Sequence, residues 1–263
     1  MSIHGADVAR VLRPALADGP VEVTIVGDVD EASAVSQVAA TFGALPPRRG
    51  PSRARADAWF LRFPEHPPQV VRATHDGRAE KALVALVWPL YVGDPSRRRE
   101  EVSLHLLAGI YQDMLLRRLR AELGKSYSPS ASVQMEDQSD QGTLRAAVET
   151  TPADLDVVRA EMTRIAGDLA HGNLTPADLD DFRTPLLSRL DQNARSNDWW
   201  AEKLMGSTLR DSGLKDAVGL RALVVGIGAD EVRKAAATWL TPPPVVVIVT
   251  GRAAASPPTG AAS

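Results

Sequence analysis

Leu115-Leu116-Arg117-Arg118-Leu119-Arg120-Ala121-Glu122-Leu123-Gly124-Lys125-Ser126-Tyr127-Ser128-Pro129-Ser130-Ala131-Ser132-Val133 passes from a leucine-rich amphipathic pattern, through a glycine, into a polar stretch carrying one aromatic. It reads as the end of a long helix, a stop at Gly124 and the start of a strand near Ser126. Arg120 and Tyr127 stand seven residues apart across that stop, a spacing at which a helix end and the first residues of the next strand can bring two side chains together. By residue type alone, Arg120 offsets the negative end of the helix dipole and Tyr127 packs on a sheet. The functional alternative is a pair of donors aimed at a ligand.

Working outward, the helix opens near Pro95-Ser96 and spans about 96–122, with Val102, Leu106, Leu107, Ile110, Met114 and Leu115 on its apolar face. Ahead of it stand three β-rich runs: Trp59–Phe63, Val70–Thr74 and, after a turn at Asp76-Gly77, Ala82–Trp88. The last is almost continuously apolar, which predicts a central strand covered on both faces. Behind the quoted stretch come strands over 126–135 and 142–149, joined by the polar loop 136–141. Helices then follow from Pro152 to about 170 and from Thr175-Pro176 to about 195, where Pro185 predicts a kink or break near Arg183. Further helices carry Trp199-Trp200 and residues 216–224, and Ala229–Leu240 leads into a closing strand, Val245–Val249. At the front, a helix over 6–17, a β-branched strand Val21–Gly27 and a helix over 31–42 precede the Pro/Gly/Arg linker Leu45–Ser52. The order is strands, a helix, strands, then many helices. That is an α+β fold with a mixed or antiparallel sheet flanked by helices, not an alternating βαβ chain.

Composition bounds the function classes. The chain has 263 residues, 44% hydrophobic and 24% charged, with a net charge of −3, so nothing drives it globally toward nucleic acid or an anionic membrane. The runs Arg97-Arg98-Arg99 and Arg117-Arg118 stand beside acids or on a helix face and read as solvated surface. Cysteine is absent, which excludes disulfides, thiolate zinc sites and a cysteine nucleophile but leaves the compartment open. No apolar run approaches the roughly 20 residues of a membrane span, and the N-terminus shows no secretory-signal pattern. Residues 253–263 are small and Pro/Gly-rich, the composition of a disordered tail.

The chain also repeats itself. Gly5-Ala6-Asp7 recurs as Gly228-Ala229-Asp230 and Arg10 as Arg233, an offset of 223; Pro20-Val21 recurs as Pro244-Val245, Val23 as Val247 and Gly27 as Gly251, an offset of 224. Both copies read helix, Pro turn, β-branched strand, Gly. The structural unit is therefore about 224 residues. On this reading residues 1–46 are the C-terminal remnant of a preceding domain, 47–56 a linker, 57–252 one complete domain and 253–263 the tail, an arrangement expected of a piece of a longer tandem chain.

Catalytic chemistry is hard to find. The five histidines are His4, His66, His75, His105 and His171, and no two are four apart on a helix as a two-histidine zinc face requires. Arg62-Phe63-Pro64-Glu65-His66 has Arg where the first His would stand, and its prolines forbid the helix. His105 has Glu101 one turn earlier and reads as a helix-surface pair. There is no Gly-x-Ser-x-Gly elbow and no phosphate loop. Gly226-x-Gly228 follows no strand and reads as a helix–helix turn. Asp178, Asp180 and Asp181 occupy the first turns of a helix, where the dipole favours acids.

Val23-Thr24-Ile25-Val26-Gly27-Asp28-Val29-Asp30, with Thr41-Phe42-Gly43-Ala44-Leu45-Pro46-Pro47-Arg48, resembles the closing strand–helix segment of a domain of the M16 (pitrilysin/insulinase-like) zinc peptidases. Leu119–Ala131 is similar to that family's Leu-Arg-Glu-x-x-Gly-x-x-Tyr-Ser stretch, nearest to its bacterial PqqL-like branch, and the likeness runs from about residue 5 to 251. It implies paired halves of repeated α+β domains around a chamber. One half holds zinc through His-x-x-Glu-His and a distal Glu. The other lacks the metal and uses an Arg and a Tyr, here Arg120 and Tyr127, to hydrogen-bond the peptide backbone near the scissile bond. This chain then corresponds to the C-terminal, non-catalytic domain. No catalytic residue and no metal ligand is expected in it, zinc is expected in a partner half in the same longer chain or a separate subunit, and a peptide is the expected substrate. No nucleic-acid or membrane partner is expected. Exported relatives of the PqqL-like type imply a periplasmic parent protein. The alternative is a structural or assembly subunit of an M16-type complex with no role in proteolysis.

Overall fold

The computed structural model describes residues 4–48, 63–64, 69–91, 98–123, 128–135, 141–207 and 213–252. The chain sorts into two compact units: residues 1–59 with 187–222, and residues 60–186 with 223–263.

The second unit is built on a five-stranded sheet of β1 (Val70–His75), β2 (Ala82–Tyr91), β3 (Pro129–Met135), β4 (Gln141–Thr150) and β5 (Val245–Gly251), in the order β1-β5-β2-β4-β3. The β1–β5 pair is parallel and every other neighbour is antiparallel, so the sheet is mixed. The apolar run Ala82–Trp88 is the middle strand, as its composition requires. Val84, Leu86, Trp88 and Leu90 are buried, and so is Ala85 from the other face. β5 pairs with Ala82–Val87 of β2, and Pro89 lies beyond that pairing, opposite Thr143 of β4.

The helix predicted over 96–122 is α3 (Arg98–Leu123). Leu104, Leu107, Ile110, Tyr111, Leu115 and Leu119 are all fully buried along it. Tyr111 stacks edge-on against Trp88, ring centres 6.2 Å apart, and its hydroxyl donates to the Met162 carbonyl at 2.7 Å. Met162 belongs to α4 (Leu155–Ala170), whose buried Val158, Met162, Ile165, Ala166 and Leu169 form one helical stripe. Sheet, α3 and α4 are therefore pinned together at one polar point inside an apolar core. α8 (Ala229–Trp239) buries Val232, Ala235 and Ala236 and packs against α3 and α4. Its first turn is tied to α3 by Arg99, which donates to Glu231 while Glu231 also accepts the Gly228 N–H at 3.0 Å. Gly109 of α3 lies under the ring of Phe182, at a spacing no Cβ would allow.

α5 (Pro176–Asn193) starts with a reciprocal cap: Thr175 Oγ1 accepts the Asp178 N–H at 3.2 Å, and Asp178 accepts the Thr175 N–H at 3.0 Å. The break expected at Pro185 is absent, because α5 continues through it. Proline removes one intrahelical bond, and the turn before it is held from outside, with Arg183 donating to the Ile227 carbonyl at 2.9 Å.

The first unit holds α1 (Gly5–Asp18), α2 (Glu31–Ala40), residues 187–193 of α5, α6 (Asn197–Leu204) and residues 213–222 of α7 (Gly213–Gly226). Asp30 caps α2 by accepting the Ser33 N–H at 2.8 Å, which holds its carboxyl below the usual carboxylate range. The strand predicted over 21–27 is not formed, and these residues belong to no strand of the sheet. A β-branched sequence supplies the backbone preference, but a strand exists only as part of a ladder. No side chain described in 4–48 is buried. Residues 59–62 of the predicted strand at 59–63 and most of the 47–56 linker lie outside the described residues, as does the 253–263 tail, while Phe63 is in no strand.

Candidate functional site

Of the pair proposed from sequence, Arg120 sits at the C-terminal end of α3. The helix end is fixed from three sides. Leu115 and Leu119 are buried beneath it. Arg118 donates to Glu161 of α4 at 3.0 Å, and Arg117 lies 3.5 Å from Asp178. Farther back, the Ala131 N–H of β3 donates to Gln112 Oε1 of α3 at 2.9 Å, which holds the edge strand against the helix. Both neighbours of the quoted stretch read as solvated surface, Arg117 and Arg118, thus spend their charge on carboxylates of other helices.

Arg120 does not. It is exposed, and no hydrogen-bond or ion-pair partner meets it among the described residues. It stands in the last turn of α3, with its guanidinium available to an external acceptor. Tyr127 lies outside the described residues, while Ser128 beside it is exposed and Pro129 opens β3.

The surrounding electrostatics are structural. Partial desolvation works against the Glu161 carboxylate, yet hydrogen bonds and charge from Arg118 and Arg164 hold its pKa below the usual glutamate value. Asp178 is likewise lowered, against its own desolvation, by Thr175 and Arg117. Glu101 is lowered by His105 and Arg98 despite burial, and His105 lies 3.8 Å from it one helical turn away, the surface pair that the spacing suggested. Among the described residues no three His, Asp or Glu side chains converge as a metal-binding group. No described helix is long and apolar enough to cross a membrane.

Compared with known proteins, residues 18–186 match the family model described as the peptidase M16 inactive domain. The chain belongs to the peptidase M16 inactive-domain family. The fold of this M16 domain recurs in a conserved protein from Enterococcus faecalis, at 16% identity and TM-score 0.74, over 97% of this chain and 57% of that one. It recurs in the periplasmic protease PqqL from Escherichia coli, at 17% identity and TM-score 0.65, over 86% of this chain and 24% of that one. A peptidase M16 inactive domain from Pseudomonas fluorescens gives 18% identity and TM-score 0.64, over 88% of this chain and 54% of that one. The chain therefore spans from about a quarter to somewhat over half the length of these structures. No curated protein matches significantly. The M16 resemblance and the α+β architecture with a mixed sheet, both read from sequence, are thereby established for this chain. The signal that carried them was the pair of motifs around Gly27 and Gly124.

Proposed function

We propose that this M16 inactive domain is the non-catalytic, substrate-binding half of an M16-type zinc endopeptidase, in which Arg120 and Tyr127 hold the peptide backbone opposite a zinc site carried by another domain or chain. The observation that carries the reading is Arg120: an exposed arginine on a rigid helix end, unpartnered among the described residues, beside two arginines that are both paired. An extended peptide offers a row of carbonyl oxygens. A guanidinium presents several N–H donors in a fixed plane and cannot lose its charge, and a phenol adds one O–H donor. Donors held next to the attacked carbonyl also stabilise the oxyanion that forms there, and loss of one such donor costs roughly 3–4 kcal/mol. Zinc bound in the partner half supplies the activated water; this chain supplies position and hydrogen bonds. The resemblance to a periplasmic protease supports an exported parent protein.

The test is reconstitution. This chain, a zinc-bearing M16 half, and the two together are assayed for peptide cleavage. Activity present only in the mixture, and lost in Arg120→Ala and in Tyr127→Phe, supports the assignment. Undiminished activity in both variants returns the chain to the role of an assembly subunit.

A further inference from the structure

β1 and β2 follow one another in the chain but are not neighbours in the sheet, because β5 lies between them. Their connection therefore crosses the end of β5, and it is held from within and from outside. Within it, His75 Nδ1 accepts the Gly77 N–H at 3.0 Å, and His75 Nε2 donates to the Lys81 carbonyl at 3.1 Å. The Lys81 N–H donates to the Arg78 carbonyl at 3.0 Å. From outside, the Arg252 N–H donates to the His75 carbonyl at 2.9 Å, and the Arg252 guanidinium lies 3.3 Å from Asp76. Gly251 of β5 lets the connection come close, since a Cβ there would lie 2.6 Å from the Ala79 Cα.

This connection walls an open dish of about 410 Å³. The floor is Leu83 and Val249, paired across β2 and β5 on the side of the sheet turned away from the buried Val84 and Ile248. Arg78, Lys81 and Glu149 stand around it. Both ring nitrogens of His75 are in use, so that residue builds the dish and offers a ligand nothing. Lys81 and Glu149 are 3.7 Å apart and 56% and 70% exposed, an ion pair too long and too wet to fix either side chain. Arg78 is exposed, and its guanidinium meets no acceptor among the described residues. Two cations thus face one acid above an apolar floor, on a frame that need not reorganise to receive a ligand. The dish also shares one end of the sheet with the Arg120 end of α3, which leads into β3. β3 begins opposite Val148, close to where β4 ends, and β2 begins opposite Thr150. From the start of β3 to the dish is two to three strand spacings, roughly 10–15 Å, which an extended peptide covers in about three to five residues.

We propose that this dish is a carboxylate subsite for the peptide, in which Arg78 binds the carboxylate, Lys81 adds a second donor, and Leu83 and Val249 take the adjoining apolar part. The proposal rests on the reading that Arg120 and Tyr127 hold a peptide, and it adds a preference: a carboxylate about three to five residues from the held bond. A guanidinium presents two parallel N–H groups to the two oxygens of a carboxylate, which an amide or a hydroxyl cannot match. The carboxylate comes from an Asp or Glu side chain or from the C-terminus of the peptide, and Glu149 opposes both.

Two measurements test this. The first uses the intact chain alone, with N-acetyl-leucine and N-acetyl-leucinamide as probes, followed by NMR of the backbone amides. The acid should shift Gly77, Arg78, Lys81 and Val249, and the neutral probe should not. Arg78→Gln should weaken binding of the acid at least about 5-fold, Arg78→Lys should restore part of it, and Glu149→Gln should tighten it about 2–3-fold by removing the opposing charge. Equal shifts with both probes, no saturable shift, or unchanged binding in Arg78→Gln overturns the proposal whatever Arg120 does. The second measures kcat/KM of the chain assembled with a zinc-bearing M16 half on four matched peptides. One carries Glu about four residues before the cleaved bond, one carries it about four residues after, one ends there in a free carboxylate, and one is neutral throughout. Arg78→Gln should lower kcat/KM about 5–10-fold for a carboxylate peptide and leave the neutral one unchanged. Loss with a Glu peptide assigns the subsite to a side chain, and loss with the free terminus assigns it to the C-terminus. Equal losses on all four peptides, or none on any, overturn the subsite. Normal cleavage by Arg120→Ala overturns the role of Arg120 alone, since the carboxylate-specific loss in Arg78→Gln is read independently of it.

Discussion

Replacing Tyr111 by Phe removes one oxygen from the centre of the second unit and little else. The side chain is fully buried. Its ring edge meets Trp88, and its hydroxyl donates to the Met162 carbonyl at 2.7 Å. Burial also pushes the phenol well above its ordinary pKa, so it remains a protonated donor at any working pH. The Met162 carbonyl lies within α4 and keeps its intrahelical partner when the hydroxyl leaves. The loss is therefore one net hydrogen bond and a small void, about 1 kcal/mol, with a melting-temperature fall of roughly 2–4 °C for a unit of this size. Tyr111→Ala, which also removes the ring, should cost about 3–5 kcal/mol. Urea unfolding followed by near-ultraviolet circular dichroism, sensitive to the Trp88–Tyr111 contact, reads both. A Phe variant as stable as the parent, or as damaged as the Ala variant, refutes the view that this hydroxyl is the polar pin joining α3 to α4.

Glu161→Gln tests the electrostatic anchor of the Arg120 helix. The carboxyl is held below its ordinary value in the folded chain, so its contribution is present above the unfolded pKa of about 4.3 and disappears as pH falls through the lower folded value. Because Arg118 and Glu161 both keep some contact with water, the variant should lose only about 0.5–1 kcal/mol at pH 7. The gap should narrow as pH falls below the unfolded value and close once the lower folded value is passed, as read from paired melts across pH. Gly142→Ala places a Cβ 2.5 Å from the Gln134 carbonyl oxygen and 2.4 Å from Met135 Sδ. Overpacking at the β3–β4 pair should cost about 1–3 kcal/mol in chemical denaturation.

The parts of the fold that depend on local pattern could be read directly. The uninterrupted apolar run at 82–88 became the middle strand because a strand buried on both faces needs no polar alternation. The helix over 96–122 and its stop came from periodicity and a glycine, and the α+β order followed. What failed were properties of partners. Val21–Gly27 has strand composition but no ladder, and a ladder is made by other strands, not by the segment. Of the kink or break expected near Pro185, the break did not form, because α5 is also held by the bonds of Arg183 to residues near 227. Tyr111 was missed because one aromatic on an apolar helix face carries no sign of the carbonyl 51 residues away that it serves. Arg117 and Arg118 read as solvated surface; only the fold shows that Asp178 and Glu161 meet these two, while Arg120 stays exposed.

The most direct measurement of the central proposal is kcat/KM for peptide cleavage by the assembled enzyme carrying Arg120→Ala, beside a thermal melt of the same preparation. The account predicts a loss of roughly 10²–10³-fold, the size of a missing oxyanion-hole donor, with a melting temperature lowered by no more than about 2 °C, because the exposed guanidinium contributes to the fold only through the helix dipole. An unchanged kcat/KM, or a loss matched by a destabilised domain, would contradict it.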